Sequence, residues 1–285
     1  MFAKRAFVLR LPGREPLALS SRTLVMGVLN VTPDSFSDAG EAFEPARAVE
    51  RALAMESEGA DLIDVGAEST RPGAGPIDEV EEWRRLEPVL EGLAGRLRIP
   101  LSIDTYRAET ARRAFDAGAV IVNDISGLTY DARLGDVVAE RGAALILMHT
   151  RGRSRDMYLE ARYENVTAEV TRELQRGVER AIGRGVAWDQ VIIDPGLGFA
   201  KKPAHSMTTL AHLDAFAALG RPILSGPSRK SFLTFATGPL PPGERDWATA
   251  AAVTASVIGG AHIVRVHRVA EMVQVVRVAD AIRLG

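Results

Sequence analysis

From residue 24 onward the chain alternates short apolar, β-branched runs with longer stretches in which apolar residues return every three or four positions among Ala, Glu and Arg. The runs at 24–31, 62–68, 101–105, 120–123, 144–149, 191–195, 222–225 and 263–267 predict strands. Segments such as VIVN, LILM and VIID are apolar throughout, as in parallel strands buried on both faces. Amphipathic periodicity predicts helices at 45–57, 78–94, 108–117, 133–140, 165–183, 206–218, 247–258 and 269–283. Eight strands, each followed by a helix, predict an α/β fold, a (β/α)8 TIM barrel, with a doubly wound open sheet as the structural alternative. No linker composition divides the chain, so residues 1–285 read as one domain. Residues 6–20, AFVLRLPGREPLALS, read as a hairpin turning at Pro12 and Gly13, and segment 1–22 is expected to cover the bottom of the barrel. Helix 247–258, WATAAAVTASVI, is apolar nearly all round, which suggests a homodimer interface.

Composition removes several classes of function. The chain has 285 residues, 46% hydrophobic and 25% charged, which excludes disordered, collagen-like and coiled-coil readings. Its net charge of -2 supplies no global field for nucleic acid or an anionic membrane, so small-molecule partners are expected and any anion must be held locally. With no Cys there is no disulfide framework, thiolate nucleophile or Cys-ligated metal, and the cytoplasm is the expected location. The N-terminal MFAKRAFVLRLPG lacks the apolar core of an export signal, and the apolar segment 248–266 is interrupted by Thr249, Thr254, Ser256, Gly259, Gly260 and His262.

Barrel enzymes build their sites at the C-terminal ends of strands, and polar residues gather at all eight of the predicted ends. These include Asn30, the Glu68–Arg71 stretch, Asp104, Asn123 with Asp124, His149, Asp194, Lys230, and Arg265 with His267. Any one has a plain structural reading as a cap or a turn, but eight of eight strands is harder to explain that way. Asp104, Asn123, Asp194 and Lys230 suit a planar heterocycle with an amidine-like edge, since a carboxylate accepts two parallel N–H bonds while Asn and Lys meet ring nitrogens and a carbonyl. No spaced His pair for zinc accompanies them. SGPSRKS at 225–231, presenting Ser228, Arg229, Lys230 and Ser231, and HIVRVH at 262–267, presenting Arg265 and His267, read as anion sites at the usual phosphate position of barrels. NVTPDSFSDAG at 30–40 and ESTRPGAGP at 68–76 are either surface loops or lids; Asn30, Asp34 and Arg71 within them favour lids. Asn30 and Asp34 also offer oxygens to a Mg2+ whose other ligands are diphosphate and water.

The strings MGVLNVTPDSFSDAG, DVGAESTRPGA, SIDTYRAE, GAVIVNDISG, LILMHTRG, IIDPGLGFAKKPAHS, GPSRKSFL and GAHIVRVHRV occur in the order found in dihydropteroate synthases, and over nearly its whole length the chain resembles that family. The resemblance implies a dimeric barrel that joins 6-hydroxymethyl-7,8-dihydropterin pyrophosphate to p-aminobenzoate with Mg2+. It also implies that Asp104, Asn123, Asp194 and Lys230 bind the pterin, with Met148 and Gly226 lining its slot. Asn30, Arg265 and His267 would hold the pyrophosphate, Asn30 its metal, and Arg265 would pack against the pterin ring. Thr70, Arg71, Pro72, Phe199, Ser228 and Lys230 would form the p-aminobenzoate side, while Asp34 and Phe36 belong to an ordering loop. Among these, Asp104, Lys230, Arg265 and His267 are the expected catalytic residues. Two departures stand out: Ala200 where the family often has Gly, and Thr150 where a Met is frequent. A corrinoid-linked methyltransferase has no diphosphate to bind, a non-catalytic pterin binder could drop Asn30, Lys230 or Arg265, and an unrelated phosphate-binding lyase or isomerase lacks a candidate Schiff-base Lys here.

Overall fold

A computed structural model describes residues 4–32, 44–69, 75–153, 157–159 and 161–285. Eight parallel strands form the barrel: β3 (Leu24–Asn30), β4 (Leu62–Gly66), β5 (Leu101–Asp104), β6 (Ile121–Asp124), β7 (Ala144–Met148), β8 (Val191–Asp194), β9 (Leu224–Ser225) and β10 (Ile263–Val266). They are hydrogen-bonded in the order β8-β7-β6-β5-β4-β3-β10-β9, and Ile193 N–H donating to Pro222 O at 3.0 Å closes the ring. β9 is shorter than the expected 222–225 because Pro222 has no N–H to add to the ladder.

Helices α1 (Pro45–Ser57), α2 (Glu79–Leu93), α3 (Ala108–Asp116), α4 (Arg133–Arg141), α5 (Val166–Gly183), α6 (Pro203–Ala211), α8 (Asp246–Ile258) and α9 (Val269–Leu284) fall between or after the strands, close to their predicted positions. Asp78 and Asn165 are caps rather than helical residues, accepting from the Glu81 and Ala168 N–H groups. The helix expected at 206–218 instead starts at Pro203, a favoured first-turn residue, and gives way to a 3-10 segment, Leu213–Leu219. A short helix α7 (Thr234–Thr237) between β9 and α8 was not expected from the sequence.

The hairpin is present as β1 (Phe7–Leu9) and β2 (Leu17–Leu19), antiparallel with Phe7 opposite Leu19. Leu9, Leu11 and Leu19 pack against Leu24, Leu62, Ile121, Ala144, Ile192, Leu224 and Ile263, so it covers the N-terminal end of the barrel. His262 fastens it there: Nδ1 accepts from Ile223 N–H at 3.1 Å, which leaves Nε2 to donate to Arg5 O at 2.9 Å.

Strand register decides what meets at the opposite end. Asn30 pairs with Gly66, Gly66 with Asp104, and Asp104 with Asn123, a row across four neighbouring strands. Leu24 and Met26, Leu62, Ile121, Ile146, Ile192 and Ile263 point inward lower down, so by the period of two Asn30, Asp64, Asn123, Met148, Asp194 and Arg265 point inward above them. The interior is apolar at the hairpin end and ionic at the mouth.

Candidate active site

Arg265 organises the mouth. Its Nε donates to Asp64 Oδ2 at 2.6 Å and its Nη2 to Asp104 Oδ2 at 2.8 Å, bridging two strands across the interior. Asn123 Nδ2 adds a bond to the same Asp64 oxygen at 2.9 Å. Asp64 is fully buried and its Oδ1 has no partner among the described residues. Gly66 makes this packing possible, since a Cβ there would lie 3.0 Å from the Cβ of Asp104. Asp64 is a site residue that sequence reasoning missed. The available signal was a carboxylate in the middle of the apolar run LIDVG, where an unpaired charge is costly to bury.

Burial pushes Asp104 up to about 7; Arg265 opposes the rise and the neighbouring Asp64 adds to it. A carboxyl whose folded pKa lies above its unfolded value stabilises the native state fully below the unfolded pKa and loses that stabilisation as pH rises through the folded one. Asp104 therefore makes the ligand-free protein progressively less stable from about pH 4 to about pH 7. D104N is expected to flatten this dependence, and thermal unfolding measured across that window checks it.

Asp194, at the end of β8, accepts from Gly196 N–H at 2.7 Å. Burial raises its pKa, opposed by Lys230, the Gly196 N–H, Lys201 and Arg265. Lys230 donates to Leu197 O at 2.5 Å, with Nζ 4.3 Å from the centre of the Phe199 ring. Burial lowers it to about 8, against the pull of Asp194. Gly226 lies between the two cations: a Cβ there would sit 3.8 Å from Arg265 Cβ and 3.9 Å from Lys230 Nζ. Met148 is buried with Tyr106 and Ile125, and Phe199 packs against that cluster.

The predicted anion residues divide. His267 Nδ1 and Ser228 Oγ are 2.9 Å apart, so Ser228, expected on the p-aminobenzoate side, touches the expected diphosphate residue. Arg229, expected to present its charge to an anion, instead grips Asp246 through Nε at 2.8 Å and Nη2 at 2.9 Å. Beside His267 opens a cleft of about 360 Å³ in which Arg51 pairs with Glu58 and Arg268 with Glu271, so its basic groups are largely neutralised. Asp124 serves its turn, accepting from Ser126 and Leu128 N–H. Asp34, Phe36, Thr70, Arg71 and Pro72 lie outside the described residues.

Sequence reasoning also missed the groups behind the site. Glu82, fully buried, accepts from Thr105 and Thr110 hydroxyls and pairs with Arg107, which also holds Glu68 at the foot of the second loop. Ala200 explains one departure from the family pattern: its φ of 47° is left-handed, where Gly is favoured. A200G is expected to stabilise the protein by about 0.5–1 kcal/mol, read as a shift in the urea midpoint.

A closed parallel barrel whose mouth carries the three carboxylates of Asp64, Asp104 and Asp194, the amide of Asn123 and the cations Lys230 and Arg265 above an apolar floor is an enzyme site for a small polar heterocycle, and residues 26–267 match the family described as "Pterin binding enzyme". Dihydropteroate synthase from Synechocystis is 45% identical over 92% of this chain and 90% of its own. The structure of dihydropteroate synthase from Xanthomonas albilineans with 4-aminobenzoic acid superposes with a TM-score of 0.91 at 40% identity, covering 99% of this chain and 100% of that one. The same enzyme in complex with 7,8-dihydropteroate gives 0.87 at 37% identity over 98% and 99%. The chain belongs to the dihydropteroate synthase family.

Proposed function

We propose that this protein condenses 6-hydroxymethyl-7,8-dihydropterin pyrophosphate with p-aminobenzoate, releasing 7,8-dihydropteroate and pyrophosphate. The observation that carries the reading is the convergence of Asp104, Asn123, Asp194, Lys230 and Arg265 from separate strands and loops at one mouth. Asp194 accepts the amidine-like N–H edge of the pterin, Asn123 and Lys230 meet the ring nitrogens and carbonyl, and Met148 closes the slot.

In the reaction the bond from the pterin methylene to the diphosphate oxygen breaks, its electron pair leaving with pyrophosphate. The arylamine nitrogen then bonds to the methylene and loses a proton. Asp104 faces the carbon that becomes positive, and its charge favours that state. Arg265, whose Nη1 makes no hydrogen bond to a described residue, turns a donor and a full charge toward the departing oxygens, with His267 alongside. The arylamine is nucleophilic enough without a general base.

Mg2+ fits this site as a cation carried mainly by the diphosphate. Among the described residues no three His, Cys, Asp or Glu gather to cage a metal, and Asp64 and Asp104 are taken by Arg265. The side-chain amide of Asn30, half-buried at the end of β3, makes no hydrogen bond to a described residue and offers a hard oxygen. When bound, the ion neutralises charge on the leaving group.

The reading includes a cytoplasmic homodimer. Trp247, Ala251 and Ala255 on α8 form an exposed apolar stripe, and Val278 and Ile282 form another on α9, which packs beside it. No described helix is long and apolar enough to cross a membrane. The test is pyrophosphate release from dihydropterin pyrophosphate and Mg2+ with and without p-aminobenzoate; release that does not depend on p-aminobenzoate removes the reading.

A further inference from the structure

Lys201 is only 1% exposed, although its neighbour in the sequence, Lys202, is exposed. Its Nζ donates to His149 Nδ1 at 2.9 Å, Gly196 O at 3.1 Å and Phe199 O at 3.2 Å, using all three ammonium protons. An ammonium only donates, so His149 Nδ1 is the acceptor and its ring proton sits on Nε2, facing Glu173 Oε2 at 2.9 Å. Burial and the charge of Lys201 hold that imidazole neutral, down to about 4. Burial likewise lowers Lys201 itself to about 7, against the attraction of Asp194.

The two carbonyls held by Lys201 are the first and last of the turn Gly196–Phe199, which leaves β8 directly after Asp194 and Pro195. That turn carries Leu197 O, the acceptor of Lys230, and the Phe199 ring beneath Lys230 Nζ. On its other side it rests on the backbone at His149, the residue directly after β7, because a Cβ at Gly196 would fall 2.1 Å from His149 O. A buried ammonium with no hydrogen-bonded carboxylate is expensive, and an apolar side chain of the same length would fill the space at lower cost. What an apolar side chain lacks is a grip on both ends of the turn.

We propose that Lys201 is a positioning residue for p-aminobenzoate: it touches neither substrate but, through the Gly196 and Phe199 carbonyls, sets the turn that holds the Phe199 ring in place. The proposal rests on the dihydropteroate synthase reading. Its test is steady-state kinetics of wild type, K201M and K201Q toward both substrates, with calorimetric pterin binding and thermal unfolding on the same preparations. K201M keeps length but has no donors, and its KM for p-aminobenzoate is expected to rise about tenfold while kcat and the pterin Kd stay within about threefold. K201Q keeps two N–H donors for the two carbonyls and is expected to return that KM to within about threefold of wild type.

An unchanged KM in K201M, a loss shared equally with kcat and pterin binding, or a K201Q no better than K201M overturns the proposal. Should K201M not fold, H149A decides. It removes one acceptor and leaves both carbonyl contacts, so a rise of about threefold in the same KM with unaltered pterin affinity supports the role. An unaltered KM in H149A, or equally weakened pterin binding, overturns it. Absence of turnover by the wild type removes the reaction assignment instead, whereas wild-type turnover with an indifferent K201M removes only the role of Lys201.

Discussion

Asp194→Asn is expected to weaken binding of the pterin by about 100-fold or more, the cost of breaking a buried, hydrogen-bonded charge pairing from one side. The substitution is conservative in shape. The amide oxygen still accepts the Gly196 N–H that Asp194 now receives at 2.7 Å, so the turn after β8 is preserved. What disappears is the negative charge facing Lys230 and the acceptor that would take a second N–H from the ligand, replaced by an NH2 group pointed at another donor. Lys230, already lowered to about 8 by burial, loses the carboxylate that opposes the drop. Titration calorimetry with the pterin reads the result directly, and equal affinity in both proteins would end the case for Asp194 as its main anchor.

Arg265→Ala has a different signature. The guanidinium joins Asp64 and Asp104, and without it two buried carboxylates face each other while Asp64 Oδ1 already lacks a partner. Asp104 then rises above about 7 and is protonated at neutral pH, removing the charge that favours a cationic methylene at the same moment as the cation that favours the leaving group. Single-turnover release of pyrophosphate is expected to slow by about 10²–10³-fold, the scale on which a preorganised charge acts in a dry site. Pterin affinity should change by less than about tenfold, because Asp194 and Asn123 remain. A variant that releases pyrophosphate at the wild-type rate would exclude Arg265 from that step.

Much of the mouth was legible because strand ends are legible. Asp104, Asn123 and Asp194 each terminate an apolar run, and position at the end of a barrel strand is what brings a side chain into the site. Asp64 escaped notice because it sits inside its run, two residues short of the end, where only the closed ring shows that Arg265 and Asn123 reach it from other strands. Arg229 and Lys230 are neighbours in sequence but diverge in space: the left-handed backbone of Arg229 sends its side chain to Asp246, while Lys230 turns to Leu197 O. Lys201 and Lys202 divide similarly, one buried and one exposed, and nothing in a Lys-Lys pair says which.

The motif strings carried the family, while period and punctuation by themselves determined the number and order of the βα units, the hairpin and the chemical types collected at the mouth, since these follow from local backbone preference and from the cost of burying polar groups. Pairing was decided only by the tertiary structure. Register sets Asn30, Gly66, Asp104 and Asn123 in one row, and closure places Arg265 between two carboxylates. A buried turn is held by Lys201, whose neighbour in the sequence, Lys202, is exposed. Interaction between charges depends on separation and on exclusion of water, and both are properties of the folded chain.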